Sequence, residues 1–254
     1  MRLTPTLLRL VLPPLALLAG WQWAASWLKM EELPSAWDAL RTVPGILGNP
    51  HDLASIGASL RRMALGYGLG WLIAVPVGLT MGRSAAVANF LNPLTAMVYP
   101  VPKAALMPVL MLWVGIGDLS KVLVIFLGVS LPLLYHSYQG ALRVDEKLVW
   151  SARAMGMDAR QRLFRVVLPA ALPEVLLGGR VALSLALITM ISCEMIARQN
   201  GAGELLFNAL DMAVYTDVYA MIVLIGLLGL LLDTLYESLR RRLTHWADTL
   251  QNPR

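Results

Sequence analysis

The sequence predicts an all-α membrane protein with six transmembrane helices and both termini cytoplasmic, and three observations predict it. The first is composition: of 254 residues, 57% are hydrophobic and 15% charged, where an ordinary soluble domain carries about a quarter charged residues. Charges this few and this unevenly placed do not supply the polar shell of a soluble fold. The second is a set of six apolar runs near the ~20 residues that cross a bilayer as a helix. The third is an imbalance of Lys and Arg between alternate connecting segments, the pattern that orients membrane helices. Disordered, collagen-like and disulfide-rich classes are excluded, and the single cysteine, Cys193, reads as packing in an apolar run. The net charge of +5 therefore reports orientation, with no nucleic acid expected as a partner.

The first span, Leu7 to Leu28, follows Arg2 and Arg9 in the manner of a signal peptide, but no small-residue cleavage site closes it and it reads as retained. A polar stretch, Lys29 to Ser59, comes next. Pro34, Pro44 and Pro50 read as breaks in it, with a short amphipathic piece around Trp37 to Val43. The second span, Leu60 to Met81, carries Gly66 and Gly70, then Gly78 and Gly82 at its end. These small-xxx-small pairs either let another helix approach closely or reflect the general frequency of glycine in membrane helices. The third span, Ala86 to Val114, is irregular, with Asn89, Asn92, Pro93, Pro100, Pro102, Lys103 and Pro108 along it. Broken backbone at membrane depth is tolerated where protein or a water-filled cavity satisfies it, so this span is expected to line a pathway. Leu119 to Tyr135, Val175 to Ile196 and Val218 to Tyr236 are the last three spans. The chain thus divides into residues 1–59 (first helix and extracytoplasmic loop), a core over 60–239 with a cytoplasmic loop at 137–173, and a tail over 240–254.

Arg2, Arg9, Arg83, the group from Arg143 to Arg165, and Arg240 to Arg242 fall on one side, which is read as the cytoplasm. Arg61 and Arg62 run against that count and are expected to snorkel to headgroups, as is Arg180 on its own side. Within the cytoplasmic loop, Val144 to Met155 reads as an amphipathic helix with Leu148, Ala152 and Met155 on its apolar face, ended by Gly156. Asp158 with Gln161 forms a capping-box pattern for a second helix, whose apolar face holds Leu163, Phe164 and Val167 and which Leu168, Pro169 and Pro173 are expected to stop. Two short helices joined at a glycine suit either a lever that transmits force or a pair lying on anionic lipid.

The text Trp150-Ser151-Ala152, then Gly156, then Val166-Val167-Leu168-Pro169 resembles the EAA loop of ABC importer permeases. Gly156, Ala152 and Leu168-Pro169 match that motif in spacing; Trp150 replaces its Glu, Ser151 its first Ala and Val166 its Ile. Gly82-Arg83-Ser84, the run Pro100 to Pro108, Leu112 to Lys121, and Glu194-Met195-Ile196 with Gly201-Ala202-Gly203 resemble the subfamily for nitrate, taurine and aliphatic sulfonates. The resemblance, which covers roughly Leu60 to Leu239, implies a type I importer permease of the MetI-like fold in a bacterial inner membrane. It implies a permease that pairs with itself, as a homodimer, or with a near twin, whose EAA loops dock on separate cytoplasmic ATPase subunits, which use ATP and Mg, and a separate extracytoplasmic solute-binding protein. This chain is expected to bind no cofactor and to catalyse no reaction. In that docking, Ala152 and Gly156 would allow close packing, Met155, Phe164 and Leu168 would supply apolar contact, and Pro169 would fix the exit angle.

Candidate pathway residues are Pro100, Pro102, Lys103, Pro108 and Glu194. Lys103 either helps an anion pass or bonds carbonyls freed by the broken helix. Glu194 caps a partner loop, pairs with Arg198 or lines a gate. His51, His136 and His245 have no metal-ligand spacing, and no phosphate-binding Gly-x-x-x-x-Gly-Lys-Ser/Thr motif occurs. Asp233 and Glu237, four apart, share one helix face. A transporter or channel working without an ATPase is the competing class; it would need ion-coupling residues in the spans.

Overall fold

The computed structural model describes the backbone of residues 5–246 and the side chains of residues 12–246. Eleven helices account for nearly all of the described chain. Helix α1 (Pro5–Leu28) occupies the first predicted span, and Trp21 Nε1 on it donates to Pro34 O at 3.1 Å. Helix α2 (Ala36–Gly48) starts at Ser35, whose side chain accepts from Asp38 N–H, and it runs through Pro44 rather than stopping there. Pro44 lies on the exposed face of α2, where the carbonyl it leaves unpaired is within reach of solvent.

Pro50 is likewise no break; it occupies the first turn of α3 (Pro50–Arg83), where a missing N–H costs nothing, and Asn49 caps that turn. The second span therefore begins ten residues before Leu60. Helix α6 (Asp118–Leu142) packs along α3 from Arg61 to Gly82, and α9 (Leu168–Ala197) packs against both. Gly66, Gly70, Gly78 and Gly82 of α3 face α6: a Cβ at Gly78 would lie 2.5 Å from Leu134 O, and one at Gly82 2.5 Å from Ala141 Cβ. Close helix approach is thus the role of those pairs. The main core lies among these helices, with Val75, Leu79, Val129, Leu133, Ala182 and Ala186 buried in it, and it continues into Val144, Val149 and Val167.

The third predicted span is two helices, not one. Helix α4 (Ala85–Val98) and the segment Lys103–Val114 meet at 84°. That segment is a 3-10 turn over Lys103–Leu106 followed by α5 (Met107–Val114), with Pro108 in its first turn. Helix α5 lays Met107 against Val124, Cys193 and Ala197, so Cys193 is indeed buried packing. Four helical elements are long and apolar enough to cross a membrane, or five with the bent pair counted as one span. They are α3, α6, the continuous stretch Ala159–Ala197, and α11 (Tyr215–Leu243). Helix α10 (Ala202–Asp211) closes the end of the bundle where α9 finishes, burying Ala202 and Leu206 against Met221 of α11.

Candidate translocation cavity and coupling loop

The cavity follows from the break. In an unbroken helix the carbonyl of Val98 would accept from residue 102, but that residue is Pro102 and has no N–H. The ammonium of Lys103 supplies the donors instead, reaching Val98 O at 2.5 Å, Val101 O at 2.6 Å and Tyr99 O at 3.3 Å. All three Lys103 donors are thus placed on carbonyls at the bend. The bend, with α4, α6 and α9, encloses a cavity of about 960 Å³. Asn92, Thr95 and Tyr99 line it from α4, Gly128, Tyr135 and His136 from α6, and Val181, Leu185, Ile188, Thr189 and Ser192 from α9. Lys103 and Pro102 also line it, whereas Pro100 sits in the turn beside it and Pro108 in α5. No carboxylate lines the cavity among the described residues.

Glu194 does not belong to this wall. It is fully buried near the C-terminal end of α9, two residues past Ser192 but outside the cavity lining, where Arg62 Nη1 donates to it at 2.8 Å and Ser59 Oγ at 2.7 Å. Its pairing partner is Arg62, not Arg198, which binds Asp211 at 2.7 Å. Arg62 is 2% exposed, so it does not snorkel. It also reaches Asp118 at 2.5 Å and the carbonyl of Asn200 at 2.6 Å, and Arg61 pairs with Asp118 as well. Lys121, also buried, donates to the carbonyls of Gln199 and Asn200. The N–H groups of Ala202 and Gly203 go to Ser59 Oγ and Glu194, at 2.9 and 3.1 Å. A Cβ at Gly201 would lie 2.3 Å from the Glu194 carboxylate carbon, which explains a glycine there. This clasp binds α3, α6 and α9 to the turn before α10. An Arg and a Glu inside apolar segments were a signal for such a pair, but their partnership over 132 residues was not legible locally.

Arg180 is tied in the same way: it makes two bonds of 2.7 Å to Asp233 and one of 3.3 Å to Glu237, instead of reaching for headgroups. Asp233 and Glu237 do share one face, and that face meets α9.

In the loop, α7 (Glu146–Ala154) buries Val149 and Ala152, while Leu148 and Met155 are exposed, so the inward face is turned from the one the spacing suggested. Val144 and Val149 reach the core and fix that rotation. Gly156, at φ +80°, ends α7: its N–H bonds Arg153 O at 3.0 Å and that of Met157 bonds Ala152 O at 3.1 Å. A Cβ there would meet nothing within 4 Å, so within this chain the glycine is called for by its backbone conformation. The Asp158–Gln161 capping box forms at the start of α8 (Ala159–Arg162). A π turn, Leu163–Val167, then carries α8 into α9 without a stop. Leu168 N–H bonds Leu163 O across it, and Pro169 enters in the first turn of α9. Trp150, Met155 and Phe164 are exposed by 62%, 76% and 44%. Ser151 bonds back to Lys147 O at 2.8 Å, Leu168 packs on the core, and Pro169 is exposed.

Helices paired around a broken, cavity-lining span, joined to an outlying loop of two short helices, define a membrane transport permease. The chain belongs to the family of binding-protein-dependent transport system inner membrane components, which it matches over residues 66–245. It is 34% identical over 196 residues to the taurine transport system permease protein TauC of Escherichia coli K12, covering 77% of this chain and 71% of that protein. It is 32% identical over 193 residues to a putative aliphatic sulfonates transport permease protein, SsuC, of Bacillus subtilis 168, covering 76% and 70%. Among solved structures, an inward-facing MetNI methionine ABC transporter superposes with a TM-score of 0.66 at 19% identity, over 74% of this chain and 93% of that one. The protein is a multi-pass component of the inner membrane.

Proposed function

We propose that the chain is the membrane half of an ATP-driven importer for a small anionic solute. A second copy completes the pathway, ATPase subunits dock on the loop between α6 and α9, and a solute-binding protein meets the opposite end. The observation that carries this reading is continuity. Trp150 and Met155 are exposed on and just after α7, and Phe164 is exposed on a helix that runs 39 residues, from Ala159 to Ala197, into the cavity wall. A displacement of the loop therefore reaches the wall through one element, the rigid-body coupling such a transporter requires. ATP and Mg²⁺ act in the ATPase subunit. The absence of lining carboxylates among the described residues, together with relatives named for taurine and sulfonates, supports an anionic solute. We count α1 and the bent α4–α5 pair as spans, six in all, and the basic residues of the loop support a cytoplasmic position for that end and for both termini.

Proteoliposomes containing the chain, its ATPase and its binding protein are expected to take up ethanesulfonate only with ATP, and a tagged chain to retain the ATPase in mild detergent. Phe164→Asp is expected to abolish both. Uptake by the permease without any ATPase would overturn the reading in favour of a self-sufficient transporter.

A further inference from the structure

Two side chains that can carry positive charge line the cavity among the described residues, Lys103 and His136. They are not equally available. The donors of Lys103 are placed on three backbone carbonyls, at 2.5, 2.6 and 3.3 Å. His136 instead engages one ring nitrogen: Nδ1 lies 2.9 Å from Glu174 Oε1 on α9. The other Glu174 oxygen receives Arg143 Nη1, from the end of α6, at 3.4 Å. A carboxylate beside one nitrogen fixes both the tautomer and the ring orientation, with Nδ1–H donating and Nε2 left for another partner. The backbone holds the ring in place as well, because a Cβ at Gly178 would lie 2.4 Å from His136 Cβ; glycine there lets α9 come up against the histidine. Tyr135 meets the ring edge-on, with centroids 5.5 Å apart.

We propose that His136, oriented by Glu174, is a solute-binding subsite at the loop end of the cavity, and that it takes one oxygen of a small oxyanion such as a sulfonate. With the imidazole neutral, the Arg143–Glu174–His136 group has no net charge; with the imidazole protonated it carries one positive charge. In that form Nε2–H offers a charge-assisted hydrogen bond, the stronger class, to an anionic oxygen. Lys103 holds the wall in shape and His136 reads the charge, while the apolar row Val181, Leu185 and Ile188 faces the rest of the solute. The inference rests on the cavity being the solute path.

The chain contains three histidines, so ring-¹⁵N labelling of the full-length protein in lipid nanodiscs gives a spectrum in which His136 is assigned by its loss in His136→Gln. On titration with ethanesulfonate, the His136 Nε2 resonance is expected to move and saturate, and to stay still with choline. Glu174→Gln is expected to raise the half-saturating concentration about tenfold, the scale of one charged hydrogen bond. Ala96→Cys, on the opposite wall, reports on the cavity itself through labelling by a charged thiol reagent. Labelling slowed by ethanesulfonate while His136 stays silent, or moves equally in Glu174→Gln, would overturn the subsite and leave the transport reading standing. Labelling indifferent to ethanesulfonate with a silent ring would overturn both.

Discussion

The bend at Lys103 and the clasp at Glu194 use one device in two settings. In each, the backbone leaves its helix, carbonyls lose their regular donors, and a cation fills the gap. At the clasp Arg62 and Lys121 reach the carbonyls of Gln199 and Asn200, both cations are buried, and Glu194 and Asp118 balance their charge. At the bend Lys103 reaches the carbonyls of Val98, Tyr99 and Val101, is only half-buried, and has no carboxylate beside it among the described residues. The difference lies in what each carries. A buried cation with a buried carboxylate fixes helices relative to one another, because separating them exposes charge to a low-dielectric interior. A half-exposed cation on carbonyl dipoles fixes only local shape, and water remains available as a substitute. The clasp is therefore a fold element and the bend a cavity element.

The largest effect is expected at the clasp. Arg62→Ala leaves the carboxylate of Glu194 buried without its counter-ion, and a loss of about 3–5 kcal/mol is expected, read as a lower midpoint in mixed-micelle unfolding. Arg62→Ala with Glu194→Gln is expected to recover part of that loss, since the orphaned charge goes with it. A double variant no more stable than Arg62→Ala alone would mean that charge pairing is not what holds the clasp. At the bend, Lys103→Met is expected to cost only about 1 kcal/mol in the same assay, yet to reduce uptake by a reconstituted complex severalfold. Lys103→Arg, which keeps donors at the carbonyls, is expected to retain most of the uptake. If both variants lose uptake equally while stability is unchanged, the ammonium acts on the solute and not on the bend.

How much of this was legible in the sequence divides along the same line. The helical spans, the irregularity around Pro100 and Pro102, the capping box at Asp158 and the stop at Gly156 are local signals, written within a turn or two of the residues concerned. Long-range partnerships were not local. Arg62 with Glu194, His136 with Glu174, and Arg180 with Asp233 join residues on different helices, and each reads in isolation as a helix-end charge free to reach headgroups or solvent. Prolines misled for a different reason. Pro50, Pro44 and Pro169 read as breaks, but Pro50 in a first turn gives up an N–H that has no helical partner, Pro44 on an exposed face leaves a carbonyl for solvent, and Pro169 lies inside a continuous helix directly after the π turn, where the bonding register has already shifted. Leu148 and Met155 fit the helical period as well as Val149 and Ala152 do, and the burial of Val144 and Val149 decides which face of α7 turns inward.

Gly156 is a third place where the chain leaves a helix, and there no cation is used. Its φ of +80° lets the N–H groups of residues 156 and 157 turn back onto the α7 carbonyls, so the backbone satisfies itself. Gly156→Ala puts a side chain into the left-handed region at a cost of about 1 kcal/mol. Because nothing lies within 4 Å of an added Cβ, that strain is the whole expected effect. Gly156→Asn, which tolerates this conformation, is expected to cost less than Gly156→Ala in both stability and ATPase-coupled uptake. Equal losses in the two would place the glycine's role in contact with a docked subunit, not in the turn.

The smallest effect is expected to have the opposite sign. Ser137, fully buried on α6 where Gly78 of α3 comes close, has the one buried side-chain oxygen without a hydrogen-bond partner among the described residues. In the clasp every buried side-chain polar atom has a partner, and the serine hydroxyl of Ser59 makes several bonds; in the helix interface the Ser137 hydroxyl makes none, and the small side chain is what the close approach to Gly78 requires. Ser137→Ala keeps that size and removes an unsatisfied polar atom, so it is expected to leave stability unchanged or raise it by up to about 1 kcal/mol. Ser59→Ala, the same chemical change in the clasp, is expected to lower stability by about 1–3 kcal/mol, because it removes a donor to buried Glu194 and the acceptor for Ala202 N–H. Opposite signs for one substitution at two buried serines would locate the stabilising polar chemistry in the clasp. A destabilising Ser137→Ala would show instead that the α3–α6 seam also depends on a polar contact at that point.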